Sequence, residues 1–266
     1  MLLKICLLVL SLLAIAYLGA IGFAYCFADQ MIFPVVPSSY ERLPDLQTVE
    51  TSEGDTIAVV YLPVEGSQKL LLYSHGNGED LGSIWPILKM YQSRGIAVLA
   101  YDYPGYGLSS GRASEKSVLA AADSVFQYAT AKLGYRTADI VLYGRSLGSG
   151  PSTWLTTRYP VQGLILEGAF SSTFRVMTRF KILPFDTFDN LPLLRASRCP
   201  VLVLHGEKDL TVPFEHGHAL IQAAGERGQH LWLPEAGHND IISVAGPLYW
   251  ETVLPFIEEG SNSVQP

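Results

Sequence analysis

Charge is scarce in this chain. Only 16% of its 266 residues are charged, 18 Lys and Arg against 25 Asp and Glu, for a net charge of −7. An average soluble domain carries about 25%. With an acidic balance and no run of lysine and arginine, the sequence excludes nucleic acid as a partner. Cysteine is scarcer still. Of three, Cys6 and Cys26 lie in one apolar run and Cys199 stands alone in the remainder, so no disulfide forms within the domain. Cys199 precedes Pro200 and a buried-looking strand, the setting of a packed thiol. There is no internal repeat and no low-complexity segment. Histidines do not cluster as metal ligands either: His216 and His218 are two apart on a predicted helix and point away from each other. The residue pattern calls for no metal and no cofactor.

Long apolar runs are present, and they have a location. From Ile5 to Ala28 no residue is charged, and a helix of that length crosses about 30 Å of hydrocarbon. Cys26-Phe27-Ala28 passes as a small-x-small cleavage site, but the run exceeds the roughly 7 to 15 residues of a usual signal-peptide core. We expect an uncleaved transmembrane signal anchor over residues 5–28. Lys4 precedes it, while Asp29 follows and the next cation is Arg42, a bias that puts the N-terminus in the cytoplasm and the rest on the non-cytoplasmic side. Residues 29–45, with Pro34, Pro37 and Pro44, read as an extended linker, and residues 46–260 as one domain.

Two strands, Leu46 to Thr51 and Thr56 to Leu62, flank the turn-forming Ser52-Glu53-Gly54-Asp55 as an antiparallel lead-in. From Lys69 onward apolar strands alternate with longer helical stretches, the signature of a parallel sheet covered on both faces. The strands are expected at Leu70 to Tyr73, Ala97 to Tyr101, Ile140 to Tyr143, Leu164 to Leu166, Val201 to Leu204 and His230 to Leu233. Helices are expected at Leu81 to Ser93, Ser114 to Leu133, Gly150 to Arg158 and Glu215 to Ala224, with a closing helix at Ile241 to Glu258. Residues 170–198 break the alternation with Pro184, Pro192 and mixed aromatics, and read as a short cap over a site.

In such a sheet, ligands bind beyond the C-terminal strand ends. There the chain places Gly144-Arg145-Ser146-Leu147-Gly148, a G-x-S-x-G turn between strand and helix that pushes a serine hydroxyl outward. Glycine at 144 and 148 removes the Cβ atoms that would clash. Gly76-Asn77-Gly78 bends after an earlier strand, Asp209 follows the Val201 strand, and His238 follows the last. A serine hydroxyl becomes nucleophilic when a histidine takes its proton, and a carboxylate on the far side of the imidazole fixes its tautomer. We therefore read Ser146 as nucleophile, His238 as base, Asp209 as its orienter, and the backbone N–H groups of Asn77 and Leu147 as an oxyanion hole.

Other candidates have plainer readings. His75 braces the loop after its strand and His205 packs at a strand end. His230 is a rival base, but it begins a strand instead of following one. Glu207 is a rival acid. Asp102 shapes a structural turn, and Asp189 is either a cap contact or a solvated turn residue.

With these pieces in place, the sequence resembles the α/β-hydrolases, and within them the membrane-anchored branch related to monoacylglycerol lipases and acyl-protein thioesterases. The resemblance rests on Ser74-His75-Gly76-Asn77, on Tyr101-Asp102-Tyr103-Pro104-Gly105-Tyr106-Gly107, on the Ser146 turn, on Val203 to Asp209 with Val212-Pro213, and on Gly237-His238. It implies the α/β-hydrolase fold, hydrolase chemistry and the order Ser, Asp, His, and its D-x-x-V-P spacing favours Asp209 over Glu207. Periodicity alone reaches only a parallel α/β sheet. The implied activity is cleavage of a carboxylic ester or thioester with an apolar acyl group, on a small-molecule or lipid substrate. A peptidase or amidase of the same fold and a non-catalytic membrane-bound binding protein are the alternatives. A nucleotide site is excluded, because Gly76-Asn77-Gly78 is not continued by a third glycine and Gly144 to Gly150 lacks the P-loop lysine.

Overall fold

The computed structural model describes residues 2–34 and 36–260. The chain opens with α1 (Leu2–Ile32), an apolar helix of 31 residues. After it come β1 (Leu46–Glu50), β2 (Thr56–Leu62), β3 (Leu70–Ser74), α2 (Leu81–Gln92), β4 (Ala97–Tyr101), α3 (Glu115–Ala131), β5 (Ile140–Arg145) and α4 (Ser149–Thr156). The second half holds β6 (Gly163–Glu167), α5 (Thr173–Thr178), α6 (Asn190–Ala196), β7 (Val201–Gly206), α7 (Glu215–Ala224), β8 (Gly228–Leu233), α8 (Ile241–Ala245) and α9 (Pro247–Glu259).

The eight strands form one sheet in the order β1-β2-β4-β3-β5-β6-β7-β8. The β1–β2 and β2–β4 pairs are antiparallel and every other pair is parallel. Strands β3 to β7 are buried along their whole length except at Arg145, because helices cover both faces. Alternation then divides the side chains between two cores. Leu70 and Leu72 face one with Val118, Leu155 and Leu220, while Leu71 and Tyr73 face the other with Leu88, Tyr249 and Phe256. Strand order reverses between β3 and β5, so the loops that follow these two strands flank the crevice where such sheets bind ligands.

Three features depart from the pattern in the sequence. Helix α1 continues past Ala28 to Ile32, since Asp29 and Gln30 extend the last turn and the Phe33 N–H bonds the Asp29 carbonyl at 2.9 Å. The closing helix is two helices: Gly246 takes φ +54°, and Pro247 starts a new first turn, where its missing N–H costs nothing. Third, the segment after α1 is seated on the domain. The Ser39 N–H bonds Asp80 Oδ2 at 2.6 Å, and Asp80 caps α2 by accepting from the Ser83 N–H at 2.9 Å. The Tyr40 hydroxyl donates to Asp102 Oδ2, whose other oxygen accepts the Leu81 N–H at 2.8 Å.

Asp102 is fully buried, and burial raises its pKa while His75, Tyr40 and the Leu81 N–H act against that rise. Tyr40→Phe leaves an oxygen of this carboxyl without its donor. The expected loss is about 1 to 3 kcal/mol of folding stability, read as a lower urea midpoint at neutral pH.

Candidate active site

Ser146 adopts φ +48°, a left-handed backbone that costs a non-glycine residue about 1 to 3 kcal/mol. The reversal leaves no room beside it. A Cβ on Gly144 would lie 2.6 Å from the Gly148 carbonyl oxygen, and one on Gly148 would lie 2.0 Å from that of Ser74. The serine is lifted off the end of β5, half-buried, at the mouth of the crevice.

His238 reaches it from the loop after β8. Its Nε2 lies 3.0 Å from Ser146 Oγ, and its Nδ1 lies 2.7 Å from Asp209 Oδ2. A proton on Nδ1 donated to Asp209 leaves Nε2 free to accept from the serine hydroxyl. Asp209 is itself anchored, since its Oδ1 accepts the N–H groups of Thr211 at 2.8 Å and Val212 at 2.7 Å. Burial pushes its pKa up, but the hydrogen bond from His238 and the Val212 N–H outweigh burial and hold the carboxyl below its ordinary value. Two glycines admit the imidazole loop. A Cβ on Gly168 would lie 3.1 Å from the His238 ring, and one on Gly206 would lie 2.2 Å from the Ala236 carbonyl.

The loop after β3 supplies the remaining face. Gly76 donates its N–H to Glu79 Oε2 at 2.6 Å. The Asn77 N–H has no acceptor among the described residues, while the Asn77 side chain is held at both ends: Nδ2 donates to the Ile32 carbonyl at 2.8 Å and Oδ1 accepts the Tyr106 hydroxyl at 2.9 Å. Leu147 lies within the tight turn Ser146–Gly148 leading into α4, where the first N–H groups lack intrahelical partners. Both residues sit at the same sheet edge as Ser146.

The other candidates stand outside this chain of bonds, and of them His205 comes nearest, with Nε2 3.5 Å from Asp209 Oδ2. His75 is buried with Nδ1 2.8 Å from the Gly76 carbonyl, and its Nε2 stands 3.6 Å from Asp102 Oδ1. The Nε2 of His205 lies 2.9 Å from the Val212 carbonyl, and burial lowers the pKa of this imidazole. His216 Nδ1 accepts the Ser171 N–H at 3.1 Å. His218 packs on Phe214, and His230 stacks on Trp232 within β8, which starts two residues earlier than its apolar stretch because Gly228 and Gln229 pair with β7. Glu207 is exposed. Asp189 pairs with Arg175 at 3.7 Å, and Cys199 is buried beside Ser197.

Arg145 is the residue that motif reading passes over, since it fills the unspecified position before the serine. It connects the loops after β3 and β8 with the end of β6. Its guanidinium pairs with Glu79, bonds Glu167 at 3.2 Å through Nε, and donates to Asn239 Oδ1 at 2.8 Å next to His238. Burial opposes its charge, but Glu79 and Glu167 prevail and raise its pKa. Glu167, only 3% exposed, also accepts from Tyr143 and from Tyr249 at 3.3 Å. Arg145→Met strands this carboxylate. Breaking a buried pair from one side costs about 3 to 5 kcal/mol, so the urea midpoint should fall sharply, and adding Glu167→Gln should restore part of it.

Comparison with known proteins bears on the family and the fold. A family model described as serine aminopeptidase, S33, matches residues 65–188, a span that includes Ser146 and stops before Asp209. An alpha/beta hydrolase domain-containing protein 17B of Xenopus tropicalis is 36% identical over 195 residues, 72% of this chain and 68% of that protein. The human 17C protein is 38% identical over 195 residues, 72% of this chain and 58% of its own length. Among solved structures, an esterase of Pyrococcus furiosus superposes with a TM-score of 0.69 at 16% identity, covering 83% of this chain and 96% of that one. An esterase from Exiguobacterium antarcticum does so with a TM-score of 0.64 at 15% identity, covering 79% and 98%. At these identities the structures speak for the fold alone. The protein relatives go further, and with the serine turn and the reversal of strand order at β3 they make this chain a member of the α/β-hydrolase superfamily, on the branch of the alpha/beta hydrolase domain-containing proteins 17B and 17C.

Proposed function

We propose that the protein is a serine hydrolase of lipase or esterase type, cleaving a carboxylic ester or thioester with an apolar acyl group. The observation that carries the proposal is the unbroken line from Asp209 through His238 to Ser146, with contacts of 2.7 and 3.0 Å. In this reading Ser146 Oγ attacks the acyl carbon as its proton passes to His238 Nε2. Asp209 keeps the other ring proton in place and stabilises the imidazolium. The N–H groups of Asn77 and Leu147 hold the oxyanion, each donor contributing about 3 to 4 kcal/mol by analogy with other enzymes. The imidazolium then gives its proton to the leaving oxygen or sulfur. Water, deprotonated by the same nitrogen, releases the acid from the acyl-enzyme and restores Ser146.

The substrate class rests on placement. Residues 5–28 act as a membrane anchor, residues 29–45 as the linker and residues 170–198 as a short cap, so the site works where lipids are concentrated. We place the hydrolase domain, residues 46–260, on the non-cytoplasmic side, with a glycerolipid or simple ester ranked above an S-acylated protein. The serine aminopeptidase description of the matching family model favours a second reading, a peptidase or amidase using the same residues.

An alkyl fluorophosphonate should label the wild type and not Ser146→Ala, and His238→Ala should lower labelling strongly. With p-nitrophenyl esters, Asp209→Asn should lose roughly 10⁴-fold in kcat. An aminoacyl p-nitroanilide turned over faster than any ester would favour the amidase; a folded wild type that takes up no probe would refute the enzyme. Topology is checked separately. A phosphatase reporter fused at the C-terminus should be active outside the cytoplasm, and activity only inside would reverse the placement.

A further inference from the structure

Helix α1 contacts the rest of the protein along only part of its length. Residues 2–20 are exposed all round, whereas Ile21, Ala24, Ala28 and Ile32 are half-buried or buried, a stripe spaced as one helix face. The cap reaches back beyond this stripe. The Tyr17 hydroxyl donates to the Ile182 carbonyl at 2.9 Å, and the Tyr25 ring meets Phe185 edge-on at 6.2 Å. Around that contact the cap turns large apolar side chains outward: Met177 is 83% exposed, Phe180 76% and Ile182 53%. Three of the chain's 18 cationic residues, Arg175, Arg179 and Lys181, fall within the same seven positions, and no acid lies between Phe174 and Phe185. Arg175 pairs with Asp189; Arg179 and Lys181 have no acidic partner among the described residues.

Exposed apolar side chains interleaved with unpaired cations suit the surface of an anionic bilayer. The helix supplies a ruler for the depth. About 20 residues cross the hydrocarbon, at about 1.5 Å each. Whether that stretch begins at Leu2 or at Ile5, just past Lys4, Tyr17 lies about 6 to 10 Å inside the boundary on the domain's side. That is the depth, about 5 to 10 Å, at which interfacial segments seat their apolar faces. From these registers we infer that residues 174–185 of the cap form a membrane-docking surface. Met177, Phe180 and Ile182 enter the acyl region beside α1, and Arg179 and Lys181 bind phosphates of anionic phospholipids.

The inference rests on α1 being embedded in the membrane, so the test reports the two separately. Full-length protein carrying Phe180→Trp, and in parallel Ile182→Trp, is placed in vesicles of three parts phosphatidylcholine to one part phosphatidylglycerol. Emission is compared with and without bromine on the upper acyl chain, after subtracting the wild-type signal. The added tryptophan should dim about twofold, as a ring seated at the acyl boundary does. Arg179→Gln with Lys181→Gln should remove most of that quenching, as should vesicles of phosphatidylcholine alone. Leu12→Trp monitors the helix itself. Quenching of Leu12→Trp without quenching at positions 180 and 182 overturns the docking surface and leaves the anchor standing; no quenching at any of the three overturns both. Equal quenching with and without phosphatidylglycerol overturns the anionic lipid as partner.

Discussion

The site depends on one backbone constraint: the chain must reverse between β5 and α4 within a space that admits no side chain at positions 144 and 148. The Gly148 backbone passes so near the Ser74 carbonyl that a Cβ would sit at 2.0 Å, well inside contact distance. Packing of α4 against the sheet therefore holds a serine in the left-handed region that it would not choose alone. The same close approach brings the loop after β3 beside the serine. One turn thus sets both where Ser146 stands and which loop lies beside it.

Electrostatics then couple the loops that this turn brings together. Arg145 takes Glu79 from the β3 loop, Glu167 from the end of β6 and Asn239 from the histidine loop, and Glu79 passes the connection on to the Gly76 N–H. A guanidinium suits this position because its fork serves several acceptors in different directions and stays charged when partly buried. Asp209 is fixed differently, by two backbone N–H groups of its own loop. Its loop is joined to the His238 loop by the Lys208 N–H, which bonds the Ala236 carbonyl at 3.0 Å.

Much of the fold was legible because its signals are short-range. Buried parallel strands read as apolar runs, and β2, β4 and α7 begin and end where periodicity sets them. Ser146, Asp209 and His238 were legible for a related reason, since each follows a strand and the sheet gathers strand ends at one edge. What the sequence hid were long-range partnerships. Nothing near Tyr40 announces that it reaches Asp102, 62 positions away, so the linker looks like a free connector. Arg145 stands at a position that the motif leaves open, and its acceptors come from three distant segments. The break at Gly246 falls at a Gly-Pro pair inside apolar spacing that reads as one helix. In the cap, three cations spread over seven positions become a patch only when the chain folds beside α1.

The Asn77 side chain joins the end of α1 to the loop beside Ser146, with Ile32 as its acceptor on one side and Tyr106 as its donor on the other. The end of the helix and the peptide group proposed to face the oxyanion are thus joined through one side chain. A different apolar helix of equal length that ended elsewhere would leave the Asn77 amide without this acceptor.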